Sequence, residues 1–179
     1  EEKAFRKGVL SVRDLISPAS LKINPNHLVL GQKFVRTIFV ISYPRYISVG
    51  WFAPIINLNE YFDVSMFFYP VKSAIILKQL KNRVGNLEAQ IVADSEKGMP
   101  RDPIRETALK DIEYLRDSLT QGTEKFFQFA LYVTIYADNL EKLDRLSDQV
   151  EDIFGSRLVY SKRGFYQAEQ GFNSSLPLG

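Results

Sequence analysis

Between Asp111 and Leu146 the spacing of apolar residues changes period twice. Ile112, Leu115 and Leu119 recur at helical steps, and Gly122 follows, a residue that takes the left-handed C-terminal conformation at little cost. Phe127, Phe129, Leu131, Val133 and Ile135 then occupy alternate positions, with Gln128 and Thr134 between them. That is the period of a strand with one greasy face. Asp138 or Asn139 caps the next helix, whose Leu140, Leu143, Leu146, Val150 and Ile153 return every three or four residues.

The same reading extends in both directions. Leu10, Val12, Leu15 and Ile16 could pin an N-terminal arm to the body, and Ser17-Pro18 marks a break. Leu21 to Asn24 and His27 to Leu30 are two short strands around the turn residues Asn24-Pro25-Asn26. Lys33 to Tyr43 is a longer strand that Pro44 ends, and Gly50 to Asn57 a short helix interrupted near Pro54. In the strand Tyr61 to Tyr69, Phe62, Val64, Met66 and Phe68 face one way, Asp63 and Ser65 the other.

Pro70 sits where that strand hands over to a long helix, about Val71 to Ser95, with a coiled-coil seam of Leu77, Leu80, Val84, Leu87 and Ile91. A turn-rich connector, Lys97 to Pro103, leads to a facing stripe of Ile104, Ala108, Ile112, Leu115 and Leu119. Residues 71–121 therefore read as an antiparallel helical hairpin, with an intermolecular coiled coil as the rival. Beyond Ile153, Gly155 is expected to break the helix, Arg157 to Ser161 to form a strand and Gly164 to Phe172 a last helix. Residues 173–179 have linker composition. The expectation is a single α+β domain over 1–179. Its mixed or antiparallel sheet includes 33–43, 61–69, 125–137 and 157–161, packed with helices, and the hairpin is an excursion from it.

Composition narrows the chemistry. With no cysteine and one histidine, His27, the chain holds no disulfide, no thiolate or multi-histidine metal site and no cysteine nucleophile. His27 reads as a strand-edge residue. The 23 basic and 21 acidic residues nearly cancel, so contact with nucleic acid would require local clustering. Basic residues gather at Arg6-Lys7, at Lys78, Lys81 and Arg83, and at Lys162-Arg163. The last group lies beside Tyr160, Phe165 and Tyr166, so Lys162, Arg163 and Tyr166 are the candidate nucleic-acid contacts, cations to track phosphates and rings to stack on bases.

No GxxxxGK[ST], GxGxxG or GxSxG occurs, so neither a phosphate-binding loop nor a nucleophile elbow is read here. Asp111 with Glu113, Asp117 with Glu113, and Asp148 with Asp152 read as solvated charge, not as catalytic carboxylates. The run from Tyr46 to Asn59 is uncharged for fourteen residues, short of the ~20 that span a bilayer, and contains Pro54. It reads as buried or interfacial. Around Arg45 stand Tyr43, Tyr46, Trp51 and Phe52, residue types that dominate protein interfaces and equally fill cores. These five are the candidate protein interface. The start, EEKAFRKGVL, carries charge where a signal peptide is apolar and has no initiator methionine, so the chain is expected to begin part-way into a longer protein.

Several blocks resemble the N-terminal region of the large conjugation ATPase of type IV secretion systems, the CagE/TrbE/VirB family that includes TraC-like proteins. They are LVLGQKFVRTIFVISYPR at 28–45, Gly50-Trp51, DVSMFFYP at 63–70, DIEYLRDSLTQGTEKFF at 111–127, LYVTIYADNLEKLD at 131–144 and GFNSSLPLG at 171–179. In that family a RecA-like motor with Walker motifs follows the segment that SSLPLG resembles, and it uses ATP and magnesium to drive pilus building and DNA transfer. The resemblance implies a non-catalytic docking and assembly domain, cytoplasmic and peripheral to the bacterial inner membrane. Its expected partners are inner-membrane secretion components and other copies of itself, with no cofactor or small-molecule substrate of its own. A nucleic-acid-binding module that guides DNA to the motor is the alternative.

Overall fold

The computed structural model describes residues 20–177 together with Gly8 and Pro18. The arm expected from Leu10, Val12, Leu15 and Ile16, the basic pair Arg6-Lys7 and the final two residues of the expected linker lie outside them. The strands are β1 Leu21–Ile23, β2 Leu28–Leu30, β3 Lys33–Ser42, β4 Phe62–Pro70, β5 Phe127–Ala137 and β6 Tyr160–Arg163. The helices are α1 Ala53–Ile56, α2 Ser73–Glu96, α3 Pro103–Gln121, α4 Leu140–Ser156 and α5 Ala168–Ser175. The fold is α+β, and its single open sheet is antiparallel, in the order β1-β2-β3-β5-β4 with β6 on β3.

The chain divides into two compact units, a body of residues 1–66 with 130–179 and a second unit of residues 67–129. In the body, β3 is the strand on which the others converge. It pairs with β5 over Phe34 to Phe39, with β2 over Lys33 to Val35 and with β6 over Ile38 to Ser42. A strand has two edges, and β5 holds one of them across residues that β2 and β6 also pair. So β2 and β6 share the other edge, end to end.

Opposed residues of an antiparallel pair point to the same face. Arg36 and Ile38 therefore share a face with Ile135 and Val133, and α4 packs there through Leu143, Leu146, Val150 and Phe154. Val35 and Thr37 share the opposite face with Tyr136 and Thr134. That second face is buried too, because α5 packs on it with Gly171 beside Thr37. The contact is made largely by hydroxyls. Thr37 Oγ1 lies 3.0 Å from Thr134 Oγ1, Thr134 donates to Ser175 Oγ at 3.2 Å, and Ser65 donates to the Ser175 carbonyl at 2.6 Å. Residues 173–175, expected in a linker, are thus the helical end of α5, and the helix expected at 164–172 lies four residues later at its start.

The end of α4 departs from expectation for a local reason. Gly155 stays helical, and the left-handed residue is Leu158, at φ 57°. The Val159 N–H donates to the Phe154 carbonyl and the Leu158 N–H to the Gly155 carbonyl, each at 3.0 Å, which is the hydrogen-bond pattern of a Schellman cap. Phe154 and Val159, the two apolar residues such a cap brings together, are both buried. The cap puts the left-handed residue three positions past Gly155 and delays β6 to Tyr160. At the other end, Asn139 is the cap, its side chain accepting from the Lys142 N–H at 2.8 Å.

In the second unit, α2 and α3 pack as an antiparallel hairpin. Asp102 caps α3 through the Ile104 N–H at 2.9 Å, and Gly122 ends it at φ 73°. Ile76 and Leu80 of α2 cluster with Leu119 of α3, with Leu77, Ile112 and Leu115 half-buried against them, and Val84 is buried further along α2. Of the seam expected at Leu77, Leu80, Val84, Leu87 and Ile91, Leu80 and Val84 are buried and Leu77, Leu87 and Ile91 half-buried, and Ile76 joins it as a further buried position. Ile104 is 81% exposed and leaves the stripe, because it belongs to the first turn beside the connector.

Candidate functional site

The five residues expected at a protein interface separate into two groups. The Tyr43, Trp51 and Phe52 rings pack inward. Trp51 meets Tyr43 edge-on at 6.1 Å and Phe52 at 5.3 Å, and both Trp51 and Phe52 reach Phe154 of α4 at 6.4 and 6.2 Å. Phe52 is buried, and burial pushes the Tyr43 hydroxyl up to about 12. These three fill the space between the end of β3, α1 and α4, as large amphipathic rings do. Pro54 opens α1 and does not interrupt a longer helix, which turns Ile55 inward and leaves Ile56 exposed.

Arg45 and Tyr46 point outward. The Arg45 guanidinium lies over the Tyr46 ring, 5.1 Å from its centroid, and Tyr46 is 75% exposed. Ile47 is exposed beside them and Val49 fully so. Gly50, at φ 76°, turns the chain back toward Trp51. The 44–50 loop is thus an apolar projection on an aromatic base. Sequence reading placed Ile47 and Val49 in a run read as buried or interfacial and did not single them out, because nothing in their type separates an exposed apolar loop residue from a buried one; the glycine at position 50 was the only local cue.

A second short segment stands beside this loop. Arg157 and Val159 line, with Pro44, Tyr46, Ile47, Ser48 and Trp51, a small cavity of about 40 Å³. Tyr160 lies opposite Ser42 in the sheet. Leu158 is 78% exposed, and Arg157 forms no ion pair among the described residues.

The candidate nucleic-acid contacts fare differently from one another. Arg163 lies on the α4 face of the sheet opposite Ile38, where its Nη2 pairs with Asp148 and with Glu151 at 2.6 Å. Its charge is matched within the fold. Lys162 points to the other face, its ammonium 5.8 Å from the centre of the Tyr160 ring, and it is exposed. Tyr166 is exposed at φ 57° and touches Phe165 edge-on at 4.6 Å, while its N–H donates to the Pro25 carbonyl. Only Lys162 among the three keeps an unmatched cation on the surface.

Two polar clusters complete the body. Arg36, buried on β3, donates to the Asn26 carbonyl at 2.8 Å and Ser147 Oγ at 3.0 Å, and pairs with Asp144 at 2.8 Å. It ties the β1–β2 turn and α4 to the sheet. His27 sits at that turn, its Nδ1 2.7 Å from Asn26 Oδ1; burial and the Arg36 charge lower its pKa. On the opposite face the Tyr136 hydroxyl donates to Asp63 at 2.7 Å beside a hollow lined also by Lys33 and Tyr61. Burial and the carboxylate raise that tyrosine's pKa, so it serves as a donor and not a base. Of the paired carboxylates, Asp148 engages Arg163.

Among the described residues, no three His, Cys, Asp or Glu side chains converge as metal ligands, and no helix is long and apolar enough to cross a membrane. No protein-family model matches the chain, and no curated protein matches it at a significant level.

Proposed function

We propose that this chain is the non-catalytic docking and assembly domain of a type IV secretion ATPase, linking a motor to inner-membrane components of the channel. The reading begins from the block resemblances. The observation that carries it in the structure is the exposed projection of Arg45, Tyr46, Ile47 and Val49 on its packed base of Tyr43, Trp51 and Phe52. An apolar, aromatic and cationic surface of that kind suits contact, not catalysis. ATP and magnesium belong, in this proposal, to a motor encoded beyond Gly179.

The rival, a module guiding DNA to that motor, draws on Lys162, Tyr160 and Tyr166. It loses weight because Arg163 is held by Asp148 and Glu151. Reading the parent gene past the Gly179 codon tests the docking proposal first. A P-loop followed by alternating strands and helices is expected; a stop codon or an unrelated domain sinks it. DNA binding that weakens steeply with salt would favour the rival, since phosphate contacts release counterions.

A further inference from the structure

We infer that the hollow between the start of β3, the end of β5 and the residues leading into β4 binds an organic cation, the ammonium head of a lysine side chain or of a free amine. The inference goes beyond the docking reading and does not rest on it.

The hollow is a product of the sheet. Lys33 and Val35 alternate onto one face of β3, and Tyr136 shares that face because it opposes Val35. The Tyr136 hydroxyl donates to Asp63 at 2.7 Å and its N–H to the Tyr61 carbonyl at 3.1 Å, which brings Tyr61 and Asp63 beside it. With Phe62 these residues line a cavity of about 400 Å³, within the range of small-ligand pockets. Its mouth is open to solvent, since Tyr61 is 77% exposed.

Three observations select a cation as the occupant. The first is the rings. Neither Tyr61 nor Tyr136 packs against another aromatic ring among the described residues, so the exposed Tyr61 ring keeps a face for a ligand. Such a face is negative and attracts positive charge. The second is that the fold already sets a cation there. The Lys33 ammonium lies 5.9 Å from the centre of the Tyr61 ring, on a side chain that is half exposed and tethered only to the exposed Asp138. The third is the balance of charge. Asp138 is matched by Lys33, and Glu60 by Lys142 at 2.6 Å. Asp63 accepts only from the neutral Tyr136 hydroxyl and has no cationic partner among the described residues. An anion entering the hollow would meet that carboxylate and find Lys33 engaged. A cation can lie over Tyr61 and pair with Asp63.

The test is an NMR titration of the ¹⁵N-labelled 179-residue protein at constant ionic strength. The probes are tetramethylammonium, Nα-acetyl-lysine methylamide and, as the anionic control, acetate. Both cations are expected to shift the amides of Lys33, Tyr61, Asp63 and Tyr136 saturably, and the tetramethylammonium methyl signal should move upfield, as protons held over a ring face do. Acetate should leave those amides unmoved. Tyr61→Leu keeps apolar bulk without the ring and should weaken binding by about threefold or more. Asp63→Asn keeps an acceptor for the Tyr136 hydroxyl without the charge and should weaken it several-fold. Lys33→Met removes the resident cation and should tighten binding several-fold, a gain that a misfolded variant does not imitate.

The inference is overturned if neither cation gives a saturable shift, if acetate shifts the same amides, or if Tyr61→Leu and Asp63→Asn bind like the original. Weaker binding by Lys33→Met overturns it as well. Tighter binding of the lysine derivative than of tetramethylammonium would assign the hollow to a side chain of a partner protein, and the reverse order to a free amine; either order upholds it.

Discussion

The body and the helical hairpin bury apolar residues in different ways. In the body both faces of β3 and β5 are covered, and Ile38, Val133, Ile135, Leu143, Val150 and Phe154 are each at most 2% exposed. In the hairpin the best-buried side chains, Ile76, Leu80, Val84 and Leu119, keep between 5 and 8%. A layered core excludes water from several directions, whereas one seam between two helices leaves each residue near solvent on a flank. Local opening is easier where fewer buried apolar contacts hold an element, so amide exchange is expected to be faster in the hairpin than in the body.

The largest effect should come from emptying the body's core. Phe154→Ala removes a ring that touches both Trp51 and Phe52, and about 4 kcal/mol of stability should be lost in denaturant unfolding followed by Trp51 fluorescence. Leu119→Ala in the hairpin should cost about 2 kcal/mol and act locally, speeding amide exchange in α2 and α3 while β3 and β5 keep their protection. If β3 and β5 lose protection equally, the two units unfold as one and the contrast drawn above is wrong.

Arg36→Met tests what holds the body's margin together. It leaves Ser147 and the Asn26 carbonyl without their partner, but Asp144 is half exposed and can be hydrated. A loss of about 2 kcal/mol is expected, below the usual figure for breaking a fully buried pair. Unchanged stability would show that apolar packing alone fastens the β1–β2 turn.

Leu158→Gly should have the opposite sign, raising stability by about 1 kcal/mol in the same unfolding measurement. Two other helices supply the comparison. α2 and α3 end in the same hydrogen-bond pattern with Gly98 and Gly122 at the left-handed position, at φ 68° and 73°. A Leu158→Gly protein no more stable than the original would mean that leucine carries no strain there.

The smallest effect concerns pH. His27 has a pKa lowered by burial and by Arg36, so between its folded value and the ordinary 6.5 the unfolded chain binds more protons than the folded one. This contribution is complete above the ordinary value and is lost as pH falls through the folded one. His27 is the sole histidine, so its ring proton gives a single titrating NMR signal, expected to turn below pH 6.5. A midpoint above that value would reverse the sign.

What the sequence determined by itself is what short-range physics decides. Period 2 in Phe127 to Ile135, the turn at Asn24-Pro25-Asn26, the Asn139 cap and the left-handed Gly122 each depend on residues within about five positions of one another. From these the α+β class and the hairpin were legible. The tertiary structure alone decided which apolar residues stay outside and which charges are matched. Trp51 and Val49 lie in one uncharged run, yet one ring packs on Phe154 and the other side chain projects into solvent. Lys162 and Arg163 are adjacent, yet the pleat sends Arg163 toward the carboxylates of α4 and Lys162 to the opposite face. Even the end of α4 passed its glycine: the left-handed turn falls at Leu158, with Phe154 and Val159 on either side of it both buried. Burial and pairing are set by residues far apart in the chain, and no local pattern encodes which of two similar side chains finds a neighbour.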